Sequence, residues 1–159
     1  MPSQVLSEQS LGVQAFSALV RGYASATRQL NAQLIADHGL TIADYGVLLH
    51  LAWAPDRQMR RVDLADRVLL SASGVTRLLD GLERAGLVER GSCETDRRVV
   101  YAVLTEMGLE KLREASRTHV PQVETFLTAR FDDDELSELL AYLGRLAEDG
   151  DSADCGPPE

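Results

Sequence analysis

The chain has 159 residues, of which 45% are hydrophobic, and a formal net charge of −9 at pH 7. No apolar run approaches the ~20 residues that a membrane-spanning helix needs, and the N-terminus lacks a signal-like basic and apolar segment, so we expect a cytoplasmic protein with no membrane partner. Only two cysteines are present, Cys93 and Cys155, too few for a disulfide framework or a four-thiolate zinc site.

Two helices are predicted at the start of the chain. Residues 11–36 carry an apolar stripe that ends before Gly39, and at ~1.5 Å per residue this helix would be close to 40 Å long. Thr41 then caps a strongly apolar helix over residues 42–53, which Pro55 ends. The first helix is longer than a small lobe can cover. Because the second helix is strongly apolar, we expect it to lie in the interior, between the first helix and the rest of the lobe.

A helix-turn-helix is predicted over residues 61–86. A short helix over residues 61–68 is separated by only about three residues from Ser71, a favourable N-cap residue for the next helix, which Gly86 ends. The next helix has one apolar stripe, formed by Val75, Leu78, Leu79 and Leu82. Its opposite side carries Ser73, Arg77, Asp80 and Arg84. Such a helix has the groups that read the major groove of DNA.

A β-hairpin is predicted to follow. Residues 87–90 and 99–104 are rich in β-branched or aromatic side chains, and the polar segment between them ends in Arg97 and Arg98. The fold is therefore predicted to be mainly α with a small β-hairpin, a winged helix-turn-helix. Residues 57–98 have nine arginines and seven acids, so the positive charge is concentrated in this lobe and the acidic excess lies elsewhere.

The remaining helices are predicted to hold two copies of the chain together. Residues 106–129 and the leucine-rich segment after the acidic run 132–135 have apolar faces without a core of their own, as has the first helix. We therefore expect a homodimer. The expected domains are an N-terminal dimerisation helix (1–37), a winged helix-turn-helix DNA-binding domain (38–104), C-terminal dimerisation helices (105–149) and a disordered tail (150–159).

The order of these segments resembles the MarR (multiple antibiotic resistance regulator) family of transcription factors, from about Leu11 to Ala147. Its most specific part is residues 96–108, DRRVVYAVLTEMG, which are similar to the family's D-x-R, five residues, L-T-x-x-G pattern. The segment 40–48 resembles the family's second helix, and residues 64–88 resemble its helix-turn-helix. Leu69 is a departure, because the family often has Gly in that turn.

This resemblance implies a homodimeric regulator, most simply a repressor, that binds a pseudo-palindromic operator in double-stranded DNA. Arg98 would be the wing arginine that enters the minor groove, with Arg97 on the phosphates and Asp96 orienting the wing. The residues implied for the major groove and the adjacent backbone are Ser71, Ser73, Thr76, Arg77 and Arg84. No cofactor is implied.

The resemblance also implies release from DNA by a small, often aromatic, effector bound where the dimer helices meet the DNA-binding lobe. The side chains that we expect to line this crevice are Tyr23, Tyr45, His50 and Trp53. The alternative is that the aromatic residues of an apolar helix belong to the ordinary core.

Other functions have less support in the sequence. Cys93 lies among acidic residues that disfavour a reactive thiolate. His38 with Asp37 and Asp44 could be assembled into a metal site, but His38, His50 and His119 are far apart in the sequence, and three scattered histidines are usually surface or core residues. A winged-helix dimer that has lost DNA binding and engages proteins is the main rival. The sequence has no phosphate-binding glycine loop, nucleophile elbow or HExxH helix, so we do not expect an enzyme.

Overall fold

The computed structural model describes residues 10–68, 70–92 and 98–147. In chain order, these residues form α1 (Leu11–His38), α2 (Ile42–Trp53), a short 3-10 turn (Pro55–Arg57), β1 (Gln58–Arg60), α3 (Arg61–Arg67), α4 (Ala72–Arg84), β2 (Val88–Ser92), β3 (Val100–Leu104), α5 (Glu106–Thr128) and α6 (Asp133–Ala147). No helix in these ranges is both long and apolar enough to cross a membrane. The predicted disordered tail lies outside the described residues.

Local capping sets the boundary between the first two helices. Gly39 has a φ of 68° and donates its backbone N–H to the Ile35 carbonyl, so α1 ends at His38, two residues beyond the predicted end. Thr41 Oγ1 accepts from the Asp44 N–H at 3.0 Å, and the Asp44 carboxylate accepts from the Thr41 N–H at 2.8 Å. This reciprocal pair begins α2 at the predicted residue. The predicted interior position of α2 is confirmed, since it buries Tyr45, Val47, Leu48 and Leu51.

The sheet has one more strand than the predicted hairpin. β2 and β3 pair antiparallel, and β1 pairs with the other edge of β3, giving the order β1-β3-β2. Met59 lies opposite Ala102, which also faces Arg90 of β2. The predicted hairpin of β2 and β3 is thus confirmed, and β1 extends it to a three-stranded sheet. β1 has only three residues, too few for a recognisable alternation, and its partner is more than 40 residues away along the chain.

One hydrophobic core joins α2, the helix-turn-helix, the sheet and the start of α5. The largest fully buried side chains include Leu34, Leu48, Leu51, Leu64, Leu79 and Leu112. Each contributes about 1.5–3 kcal/mol relative to an exposed leucine. The end of α1 and the first half of α5 are therefore held against the lobe formed by α2, the helix-turn-helix and the sheet.

The start of α5 is fixed to the turn that follows α4. Thr105 donates its hydroxyl to the Gly86 carbonyl at 2.7 Å and accepts from the Gly108 N–H at 2.9 Å. Gly108 has no room for a side chain, because a Cβ there would lie 2.0 Å from the Leu87 carbonyl oxygen. The threonine and glycine of the L-T-x-x-G pattern thus join α5 to the end of α4.

Most of the exposed large apolar side chains lie on two helices, α1 and α6. On α1, Phe16 and Tyr23 are 67% and 68% exposed, and on α6, Leu140 and Leu146 are 75% and 71% exposed. Exposed apolar side chains that lie close together are unfavourable in water and are typical of surfaces that contact another protein.

Candidate nucleic-acid interface

The α4 helix is anchored by one face and exposed on the other. Val75, Leu79 and Leu82 are buried, whereas Ser73, Thr76, Arg77, Asp80 and Arg84 are exposed. Ser71 caps the helix by accepting from the Gly74 N–H at 3.1 Å, and Gly86 has a φ of 73°. Both predicted ends of this helix segment are confirmed. The core contacts hold α4 in place while its polar side chains remain accessible.

The hydroxyl groups at the start of α4 keep hydrogen-bonding capacity. Ser71 and Ser73 are linked through their hydroxyls at 3.2 Å, and Thr76 donates its hydroxyl to the Ala72 carbonyl at 2.9 Å. A hydroxyl oxygen that donates one bond can still accept another from a donor such as a base amino group. These three groups form a short polar edge beside the first two turns of the helix.

The two arginines of α4 differ in how much of each guanidinium is engaged. Arg84 donates its Nε–H to the Asp80 carbonyl at 3.1 Å, which holds the side chain along its own helix. Arg77 is exposed, and within the described part of the chain no acceptor holds its guanidinium. Its five N–H donors are therefore available for a bidentate contact with a guanine or a phosphate.

The hairpin provides the second element of the interface. Arg98 is exposed immediately before β3, at the end of the β2–β3 hairpin. Asp96 and Arg97, the other predicted wing residues, lie outside the described residues, as do Leu69 and Cys93. Arg90, which the sequence did not single out, is exposed on β2 and adds positive charge to the hairpin.

Two of the four predicted crevice residues lie together. His50 and Trp53, whose ring centroids are 6.1 Å apart, line a cleft of about 440 Å³ at the end of α2. The far wall is formed by Met59, Arg60, Asp63, Arg67 and Tyr101, from β1, α3 and β3. This wall was not predicted from the sequence, because β1 was not predicted.

The other two predicted crevice residues lie elsewhere. Tyr45 is buried, its hydroxyl is 3.0 Å from Ser116 Oγ, and its ring meets the His119 ring edge-on at 4.8 Å between centroids. Tyr23 is exposed on α1. Within one chain, Tyr45 therefore belongs to the packing between α2 and α5, and Tyr23 to the uncovered face of α1.

The charge of the cleft comes from its arginines. Arg60 is paired with Asp63 at 2.7 Å, so its charge is compensated. Partial burial, and then the positive charge of Arg67, lower the pKa of His50, so the imidazole is neutral at pH 7 and can donate or accept a hydrogen bond. The lining thus combines an indole ring and a phenol ring with the side chains of two arginines and one aspartate.

The residues considered for a metal site have other partners. The Asp44 carboxylate caps α2, Asp37 accepts from Gln122 at 2.9 Å, and His38 Nε2 lies 2.5 Å from Thr118 Oγ1. Across the described ranges, no three His, Cys, Asp or Glu side chains are grouped so that they could hold a metal ion.

A helix-turn-helix with an exposed polar helix, followed by a hairpin with an exposed arginine, defines a winged helix-turn-helix DNA-binding transcription regulator. Comparison with known proteins gives the family. A MarR-family sequence model matches residues 38–99, and AbsC, a MarR-family regulator from Streptomyces coelicolor, is 33% identical, with 90% of this chain and 97% of AbsC covered and a TM-score of 0.78. The chain belongs to the MarR family of transcriptional regulators.

Two further relatives cover almost the whole chain. Sco3205 of S. coelicolor, a MarR-family regulator solved in complex with DNA, is 26% identical with 96% of both chains covered and a TM-score of 0.80. The regulator MhqR of Bacillus subtilis is 29% identical over 141 residues, which are 87% of this chain and 94% of MhqR. The family resemblance of the sequence is thus confirmed, and these relatives are transcriptional regulators.

Proposed function

We propose that this protein is a homodimeric, sequence-specific repressor that binds a pseudo-palindromic operator and is released by a small aromatic ligand. The observation that carries the proposal is the exposed edge of α4, where Ser73, Thr76 and Arg77 point away from a buried apolar face. Such an edge suits base and phosphate contacts in the major groove. Ser71 and Arg84 flank it and are assigned to the DNA backbone. Because it acts on DNA, the protein works in the cytoplasm.

The hairpin is assigned to the minor groove next to each half-site. Arg98 would enter the groove, Arg97 would contact the phosphates and Asp96 would orient the wing. A narrow A/T-rich minor groove has a strong negative potential that attracts an inserted arginine. The exposure of Arg98 supports this assignment, and the fact that Sco3205 was solved with DNA supports the mode of binding in general.

A second copy of the chain is the proposed cover of the apolar faces of α1 and α6. Under this proposal, residues 1–37 and 105–149 form the dimer and residues 38–104 bind DNA. A two-fold dimer would place its two α4 helices about 34 Å apart, one turn of the duplex. Dimerisation would then be part of recognition, since one protomer reads only half of the operator.

The proposed ligand site is the cleft that contains His50 and Trp53, with Tyr23 and Tyr45 of the predicted crevice lying outside its lining. The indole ring of Trp53 and the phenol ring of Tyr101 in its lining suit a flat aromatic molecule. Such a ligand shifts the protein away from DNA only if it binds the DNA-free arrangement more tightly.

DNA binding is tested by selecting duplexes from a random-sequence library with the purified protein and titrating the selected duplex by fluorescence anisotropy at several salt concentrations. We expect the logarithm of the binding constant to fall linearly with the logarithm of salt, by about 0.9 per phosphate contact. Weak binding without salt dependence would favour a winged-helix protein that engages other proteins.

Ligand binding has a built-in reporter, because Trp53 is the only tryptophan in the chain and it lines the cleft. Benzoate and its non-aromatic counterpart cyclohexanecarboxylate form a matched pair of probes with the same charge. We expect benzoate to change the Trp53 fluorescence and to weaken operator binding, and we expect cyclohexanecarboxylate to do neither. Equal effects of both compounds would contradict the proposed preference for an aromatic ligand.

A further inference from the structure

An ion pair joins the helices of the helix-turn-helix at the ends that lie away from the turn. Arg61 is the first residue of α3, and Glu83 lies in the last turn of α4. Arg61 Nη2 is 2.5 Å from Glu83 Oε1, and the two side chains are only 17% and 25% exposed. This pair is therefore shielded from solvent more than the usual surface ion pair, whose contribution is close to zero.

The opposite ends of the same helices are held by the turn. There Leu70 donates its backbone N–H to the Ala65 carbonyl at 3.2 Å. Farther along the helices, Leu64 of α3 and Leu79 of α4 are buried in the same hydrophobic core, and apolar contacts are not directional, so they permit a small rotation of α4 relative to α3. The Thr105–Gly86 hydrogen bond ties the end of α4 to α5 but not to α3. The ion pair opposes the rotation, because a movement that separates the two helices breaks it and leaves two poorly solvated charges.

We propose that Arg61 and Glu83 are positioning residues for DNA recognition, whose ion pair sets the angle at which α4 presents its polar edge to the major groove. The inference rests on the proposed function, since it assumes that α4 reads bases. Base contacts depend on position and angle, whereas attraction to phosphates tolerates displacement. Loss of the pair therefore lowers the preference for the operator more than it lowers affinity for DNA in general.

The test compares two duplexes, the one selected by the wild-type protein and a shuffled duplex of equal composition. Glu83→Gln removes a negative charge and Arg61→Gln removes a positive charge, so charge alone would shift affinity for both duplexes in opposite directions in the two variants. Lost positioning instead lowers the ratio of the two affinities in both variants, by about tenfold, the size of one good bidentate base contact. The exchange variant Arg61→Glu/Glu83→Arg restores most of the ratio.

A charge-matched control is available at the start of α5. Glu106 pairs with Arg57 but is 84% exposed, so Glu106→Gln makes the same change of charge without loosening α4, and its affinity ratio stays at the wild-type value. Thermal melts identify variants that are unfolded at the assay temperature. If either Gln variant is unfolded, Arg61→Lys, which keeps the charge but not the guanidinium geometry, takes its place and is expected to lower the ratio.

The possible outcomes separate the two proposals. Folded single variants with the wild-type affinity ratio would overturn the positioning role, as would a folded exchange variant whose ratio stays low. A wild-type protein that prefers no duplex would instead overturn the proposed function, and the positioning role with it.

Discussion

Among the described glycines, Gly108 has the least room for an added side chain. Its α-carbon packs so closely that a Cβ would lie 2.0 Å from the Leu87 carbonyl oxygen and 2.7 Å from Leu104 Cδ1. We expect Gly108→Ala to lower the free energy of unfolding by at least about 2 kcal/mol, because the backbone of α5 must move to relieve the overlap. Chemical denaturation of the purified variant measures this loss.

Gly81 supplies the control for this substitution. It also lies in a helix, but a Cβ there meets nothing within 4 Å. Gly81→Ala should therefore stabilise the protein by about 0.5–1 kcal/mol, the usual gain from removing a glycine from a helix interior. If the two alanine variants were equally stable, the close contact between Gly108 and Leu87 would not exist in solution.

Arg98 provides the residue-level test of the wing. Under the proposed function, Arg98→Ala removes a groove contact and weakens operator binding by about 1–3 kcal/mol. Anisotropy titrations of the selected duplex measure the change. Arg117→Ala is the matched control, because Arg117 is an exposed arginine on α5, outside the DNA-binding lobe. An equal loss in both variants would mean that Arg98 contributes only general positive charge.

At the scale of elements, the sequence predicts those whose limits are set locally. Thr41 with Asp44, and Ser71 with Gly74, fix the beginnings of α2 and α4 through hydrogen bonds three residues apart, so the caps are readable in the sequence. Strand β1 escaped prediction because its position depends on pairing with β3, far along the chain. The far wall of the His50 cleft was missed for the same reason, because Met59 and Arg60 in that wall belong to β1.

The candidate interface was also predicted only in part from the sequence. The exposed side of α4 followed from helical periodicity and is confirmed for Ser73 and Arg77. The Arg61–Glu83 pair joins residues 22 positions apart on different helices, and nothing in the local pattern of either helix indicates it. Contacts between elements need the packing of the whole lobe before they can be seen.

The packing of α1, α2 and α5 predicts a dependence of stability on pH. His119 on α5 is buried against Tyr45, near His38 of α1. Thr118 and Glu114, which lie next to His38, and Ser116, which lies next to Tyr45, are further polar groups in this region. Burial, and then the positive charge of His38, lower the pKa of His119 below 6.5. The unfolded chain therefore binds a proton at a higher pH than the folded chain does.

The sign of the effect follows from this difference. As the pH falls below about 6.5, protons bind to His119 in the unfolded state before they bind in the folded state, so the free energy of unfolding decreases until the folded pKa is passed. His119→Phe keeps a ring beside Tyr45 and should flatten this decrease, measured by denaturation between pH 8 and pH 5. Part of the slope should remain, because the pKa of His50 is also lowered, and His50→Gln should remove that part. An unchanged slope in His119→Phe would contradict the assignment.

The whole molecule is organised around two kinds of surface. The helix-turn-helix and hairpin carry Arg77, Arg84, Arg90 and Arg98 on their exposed sides, whereas most of the exposed large apolar side chains lie on α1 and α6. The C-terminal half of α1 and the first half of α5 pack on the core of the DNA-binding lobe, with Leu34 and Leu112 fully buried. A dimer formed through the apolar helices would therefore fix the separation of the two lobes, and a ligand that alters this packing would alter the separation.

The proposed dimer is tested by placing charge on α6. Leu140 and Leu146 are 75% and 71% exposed in the single chain, so Leu140→Glu/Leu146→Glu should leave the protomer folded while placing two carboxylates in the proposed interface. Burying an unpaired carboxylate costs several kcal/mol, so we expect a folded monomer by light scattering, with operator affinity reduced to that of one half-site. Ser137→Glu, on the same helix and exposed, adds charge without removing an apolar contact and should stay dimeric. A double variant that remained a dimer with full operator affinity would show that α6 is not the surface that joins the protomers, and the spacing of the two α4 helices would then need another cause.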